Sequence, residues 1–81
     1  MITGSQIRAA RALVRWSARD LAMNSGVGAA TIQRLEQRDG VPGGRSQTLL
    51  ELQKALEAAG VEFVGTPDEA PGVRLVRAAK S

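Results

Sequence analysis

Residues 16–36 read Trp16-Ser17-Ala18-Arg19-Asp20-Leu21-Ala22-Met23-Asn24-Ser25-Gly26-Val27-Gly28-Ala29-Ala30-Thr31-Ile32-Gln33-Arg34-Leu35-Glu36, and the spacing within them predicts two short helices meeting at a tight turn. Ser17 stands three residues before Asp20, a capping-box pair with Asp in place of the usual Glu. Leu21 and Ala22 supply the apolar face of the first of these helices. Asn24-Ser25-Gly26 ends it, because glycine takes positive φ at no steric cost. Val27, Ile32 and Leu35 then recur as one buried face, so the next helix runs from Gly28 or Ala29 to Arg38 with Ala30, Gln33, Arg34, Gln37 and Arg38 turned outward. The small Ala22 lets that helix cross closely, and its N-terminal end and one face are left projecting.

Upstream, Ile7, Ala10 and Val14 recur at helical spacing over Ser5–Val14, with Ser5 as the cap, and Trp16 is expected to pack between helices. Downstream, Asp39-Gly40-Val41-Pro42-Gly43-Gly44 is a break. Its glycines resemble a phosphate loop only superficially, since no Gly-Lys-Ser/Thr follows. Leu49, Leu50, Leu52, Leu56 and Ala59 mark a helix from Ser46, stopped by Gly60. Beyond it the period changes to two. Residues 61–64 and 73–77 alternate as strands around Gly65–Gly72, a hairpin with a long loop. The predicted organisation is a helical part over residues 1–60, a hairpin over 61–77 and a tail over 78–81. A two-stranded ribbon is marginal alone, so it must lie on the helices or pair with another chain.

Eighty-one residues make room for one small domain. The chain has no cysteine and no histidine, which excludes disulfide scaffolds, zinc ribbons, Cys nucleophiles and Ser-His-Asp triads. The carboxylates Asp20, Glu36, Asp39, Glu51 and Glu57 have neither metal-ligand nor acid–base spacing, so no enzyme, cofactor or metal is expected. No apolar run nears the roughly 20 residues of a membrane span, and Met1-Ile2-Thr3-Gly4 is no charged lead into a secretion signal; a cytoplasmic protein is the expectation. Residues 1–54 hold eight basic and four acidic side chains against three and four in residues 55–81. Nine of the eleven basic residues are Arg, whose planar fork suits phosphate oxygens and guanine edges. A projecting helix on the basic part of the chain points to double-stranded DNA, since a helix fits the major groove.

The segment from Trp16 to Glu36 resembles the Cro/C1-type (XRE) helix-turn-helix family of phage and bacterial repressors, over about residues 5–60. The resemblance implies a four- to five-helix bundle, a third helix in the major groove and binding as a dimer to a palindromic operator. Position by position it assigns Gly28, Ala29, Ala30, Gln33 and Arg34 to the bases, and Thr31 to the DNA backbone. Ser17, Arg19, Arg38 and Arg45 join Thr31 as expected phosphate contacts, and Arg11 and Glu36 take the places of a structural ion pair. The sequence departs from the family at Ala18, where a Gln is common, and at Ala29 and Ala30, where polar side chains are common. Two alanines touch thymine methyls but cannot make bidentate bonds worth about 1–3 kcal/mol of discrimination each, which leaves that role to Gln33, Arg34 and DNA shape.

Two functions compete at this point. One is a DNA-binding regulator, a repressor that acts on its own promoter, whose hairpin completes a homodimer through Val61, Phe63, Val64, Val73, Leu75 and Val76. The other is an antitoxin-like subunit whose hairpin engages a second protein while the helices bind DNA.

Overall fold

The computed structural model describes residues 2–41, 43 and 46–76. Four helices precede a two-stranded antiparallel hairpin: α1 (Gly4–Val14), α2 (Ala18–Ser25), α3 (Ala29–Glu36), α4 (Ser46–Ala58), β1 (Val61–Thr66) and β2 (Glu69–Leu75). Ile7 and Ala10 of α1, Leu21 of α2, Ile32 and Leu35 of α3, and Leu49, Leu52 and Leu56 of α4 meet in one core, which Ile2 and Val61 join. Trp16 packs partly buried against this cluster. Full burial of a Leu or Ile contributes about 1.5–3 kcal/mol, so a handful of such side chains supplies most of the drive in a chain with two aromatic residues.

The start of α1 differs from the sequence expectation. Its cap is Thr3, not Ser5: the Gln6 N–H donates to Thr3 Oγ1 at 3.0 Å, and the Thr3 N–H donates to Gln6 Oε1 at 2.9 Å, a complete capping box. Thr-x-x-Gln outcompetes Ser5 because only it satisfies two orphan donors reciprocally. Ser5 instead donates its hydroxyl to the Asp39 carbonyl at 2.8 Å. Beside it Gly4 donates its N–H to the Gly40 carbonyl at 2.9 Å, so the first turn of α1 lies against the loop leaving α3. A β-carbon on Gly4 would stand 2.5 Å from the Leu35 carbonyl oxygen and nearer still to that of Arg38.

The hairpin is tighter than expected. Its strands run on to Thr66 and Glu69, leaving only Pro67 and Asp68 to turn the chain, and the Glu69 N–H donates to Thr66 Oγ1 at 3.0 Å. Pro67 fixes its own φ, which favours the turn, while the extra residue on β2 is taken up by an irregularity opposite Gly65. Gly65 sits at φ 75°, and a β-carbon there would lie 2.7 Å from the Glu69 carbonyl oxygen and closer to that of Ala70. Pairs run from Val61↔Leu75 to Val64↔Gly72, so the hairpin closes within the chain. Phe63 and Val73 pack with Val61 toward the core, β2 lying on α1 and β1 on α4.

Gln6 fastens the two parts together. Its Nε2 donates to the Gly72 carbonyl at 2.8 Å and the Val64 carbonyl at 3.2 Å, while its Oε1 serves the α1 cap. Every polar atom of this buried amide is thereby satisfied.

Candidate nucleic-acid interface

Local choices build the α2–α3 corner. The Asp20 N–H donates to Ser17 Oγ at 3.0 Å and the Ser17 N–H to Asp20 Oδ2 at 2.9 Å, so a shorter acid closes the box as well as Glu does. Gly26 ends α2 at φ 81°, its N–H donating to the Ala22 carbonyl at 2.9 Å. Val27, partly buried against the core, pins the turn, and its N–H donates to Ser25 Oγ at 3.1 Å. Gly28 then caps α3 without a side-chain hydrogen bond, so among the described residues the first-turn N–H groups of α3 have no side-chain acceptor.

Helix α3 buries Ile32, Leu35 and Glu36. Ala30, Gln33 and Arg34 are exposed, and their i, i+3, i+4 spacing puts them on one face. Gly28 is exposed at its N-terminal end, and Ala29 and Thr31 are half-buried at its flanks. The helix stops at Glu36 rather than Arg38, so Gln37 and Arg38 stand exposed just beyond it. Ser17 and Arg19 are exposed at the start of α2, which packs directly on α3. Among the described residues no carboxylate pairs with the guanidinium of Arg19, Arg34 or Arg38. Arg45 lies outside the described residues.

Behind that face stands an ion pair. Arg11 Nε lies 2.7 Å from Glu36 Oε2, and its Nη2 donates to Oε1 at 2.8 Å. The third donor, Nη1, reaches the Trp16 carbonyl at 2.9 Å, in the joint between α1 and α2. The Glu36 side chain is 7 % exposed and that of Arg11 22 %. The hydrogen bonds that Arg11 donates to Glu36 hold its guanidinium above its ordinary pKa against the opposing effect of burial, with the carboxylate charge adding to it.

Arg8, one turn earlier on α1, was not singled out by sequence spacing. It donates to the Glu36 carbonyl through Nη1 and to Asp39 Oδ1 through Nη2 at 2.8 Å. Two arginines of α1 therefore hold the last turn of α3, one by its side chain and one by its backbone, where a cation also complements the helix dipole. The signal was present as the i, i+3 pair Arg8 and Arg11, but nothing in the sequence says that a third helix ends between them.

The six hairpin residues expected at a dimer interface divide. Val61 is 3 % exposed and belongs to the core of its own chain, so it leaves that set. Phe63 and Val73 face the core in part, and Val64 is half-buried. Leu75 and Val76 are exposed at 41 % and 56 %. Arg74 and Glu62, directly opposite each other, form an exposed pair with Nε at 2.8 Å from Oε1.

Among the described residues no group of three or more acidic side chains is placed to hold a metal ion, and no helix is long and apolar enough to cross a membrane. No family model matches the chain, and no curated protein matches it.

Proposed function

We propose that this chain is a DNA-binding transcriptional regulator of the Cro/C1-type helix-turn-helix kind, a repressor that inserts α3 into the major groove as a homodimer. The observation that carries the reading is the outward row Ala30, Gln33 and Arg34 on a short helix whose opposite side is locked by the Arg11–Glu36 pair. A groove reader needs a projecting face that does not rock, and this arrangement supplies one. The first-turn N–H groups of α3, free of side-chain acceptors, suit an approach to acceptors or phosphates. Arg19 and Arg38 flank the same helix pair as phosphate contacts, with Ser17 and Thr31 beside them, and Arg45 belongs to the same proposed set. Gln33 and Arg34 carry direct base readout; Gly28, Ala29 and Ala30 permit close approach and contact with thymine methyls.

The test is a fluorescence-anisotropy titration against the DNA upstream of its own reading frame and a shuffled duplex of equal length, at two salt concentrations. Tighter binding to the native duplex that persists at the higher salt supports an autoregulator. Absence of binding to either duplex sinks the reading.

A second reading is favoured by Leu75, exposed at the end of β2, and Val76, exposed just beyond it; among the described residues β2 pairs with β1 alone. It makes the chain an antitoxin-like subunit whose hairpin takes a strand from another protein. A purified chain that stays monomeric while binding DNA would favour it over the homodimer.

A further inference from the structure

Three helices of this chain give way to a residue at positive φ. After α2 it is Gly26 at 81°, and after α4 it is Gly60 at 107°. After α1 it is Arg15, at φ 58° and ψ 37°. This left-handed conformation brings the β-carbon of an L residue against the backbone, which is why glycine is the ordinary occupant of such a cap. Capping itself explains none of the choice of arginine, since the hydrogen bonds at this position run from the Arg15 backbone N–H to the Ala12 and Arg11 carbonyls and any residue supplies them.

Nor do internal contacts of the side chain explain it. Arg15 is exposed, and among the described residues no carboxylate lies within ion-pair reach of its guanidinium, whereas Arg8, Arg11 and Arg74 each have one. Its backbone position is nevertheless fixed. The next residue, Trp16, packs against the core and gives its carbonyl to the same Arg11 guanidinium that grips Glu36 of α3. The joint carrying Arg15 is thus tied to the helix proposed to enter the groove, and Arg15 stands two residues before Ser17 and four before Arg19. Strain retained under an unpartnered cation on a rigid joint points outward, to an anion that the chain does not itself provide.

We propose that Arg15 is a further DNA-backbone contact, reaching a phosphate beside those of Ser17 and Arg19 and contributing affinity without base preference. This rests on the DNA-binding reading and extends it to a residue outside α2 and α3. One neutralised phosphate changes the slope of log K against log salt by about 0.9, and its removal weakens binding roughly five- to tenfold near 0.1 M salt.

The experiment uses the full chain with a fluorescein-labelled 20-base-pair mixed-sequence duplex, titrated at several salt concentrations alongside thermal melts. Arg15→Gly is expected to melt at or above the wild-type midpoint, because glycine relieves the left-handed backbone, yet to bind more weakly with the slope reduced by about one contact. Arg15→Lys is expected to restore the slope, and Lys54→Ala, which removes one charge from α4, to leave it unchanged. A wild-type slope in Arg15→Gly, or a lowered melting midpoint, overturns the assignment. A wild-type chain that does not bind the duplex at all overturns the DNA reading itself, and this role with it.

Discussion

Arg11 spends all of its directed hydrogen bonds on joining three segments: two on the carboxylate of Glu36 and one on the carbonyl of Trp16. One side chain of α1 thereby fixes the end of α3 and the entry to α2. This directional link is added to a core in which Leu and Ile side chains of all four helices meet.

Removing one partner should therefore cost more than the pair is worth. Arg11→Ala leaves a carboxylate buried without a counter-charge, and a loss of about 3 kcal/mol is expected in urea unfolding. Arg11→Met with Glu36→Leu should recover most of it. A loss below about 0.5 kcal/mol for Arg11→Ala would reduce the pair to a solvated surface contact. On the basic side, the folded pKa of Arg11 is raised above its unfolded value by the Glu36 carboxylate, so its contribution is complete below the unfolded value and is lost only as pH rises through the folded one. Stability should accordingly show no step from this group between pH 7 and about 11.

Glycines in this chain differ in what they do, and alanine substitution should separate them. At Gly4 the added methyl meets the Leu35 and Arg38 carbonyls, which belong to backbone that cannot swing aside, and a loss of about 2–3 kcal/mol is expected. Gly26 has open space around it and only its φ of 81° to defend, so about 1 kcal/mol is expected there. Thermal melts of the two variants give the order directly. Equal losses would mean that α1 does not dock on the α3 exit as described.

The helical punctuation was legible in the sequence: Ser17 with Asp20, Gly26, and the Ile32–Leu35 face all lie where local rules put them. What misled was competition between neighbouring signals. Thr3 and Ser5 are both good caps, and only Gln6 decides between them. The strands extend past Val64 because Gly65 absorbs an irregularity that alternation alone does not reveal. Arg8 and Gln6 escaped because their partners lie tens of positions away, and the left-handed backbone at Arg15 is an angle that its residue type does not announce. On α3, periodicity shows which side faces out, because Ile32 and Leu35 set the buried side; any contact of the outward side lies outside the chain's own packing and leaves no periodic signal.

Within the DNA reading, Arg34 and Arg38 should fail differently. Arg34 shares a helix face with Ala30 and Gln33, so Arg34→Ala should lower affinity for the native duplex by about 1–3 kcal/mol and leave random DNA less affected. Arg38, beyond the end of α3, is placed as a phosphate contact. Arg38→Ala should weaken both duplexes alike and reduce the salt slope by about 0.9. Anisotropy titrations on the two duplexes at three salt concentrations distinguish these patterns. Equal losses for Arg34→Ala on both duplexes would remove it from base readout.

The proposed homodimer would have to be built without Val61, because that side chain is consumed by the core. What remains is Val73 and Leu75 of β2, which among the described residues pairs with β1 alone, and Val76 just beyond its end; the side chains of Leu75 and Val76 are exposed. Pairing this strand with its symmetry mate would continue the ladder into four strands and cover Leu75 and Val76, whereas a charge at either position makes the same edge repel its copy. Leu75→Lys and Val76→Lys are exposed changes that should leave the melting midpoint within a few degrees of the wild type. In sedimentation equilibrium at tens of micromolar, the wild-type chain should be dimeric and the lysine variants shifted at least tenfold toward monomer. Operator binding should weaken with them, since each half-site would then be held by one chain. A wild-type chain that sediments as a monomer at high micromolar concentration would assign this edge to a foreign strand instead.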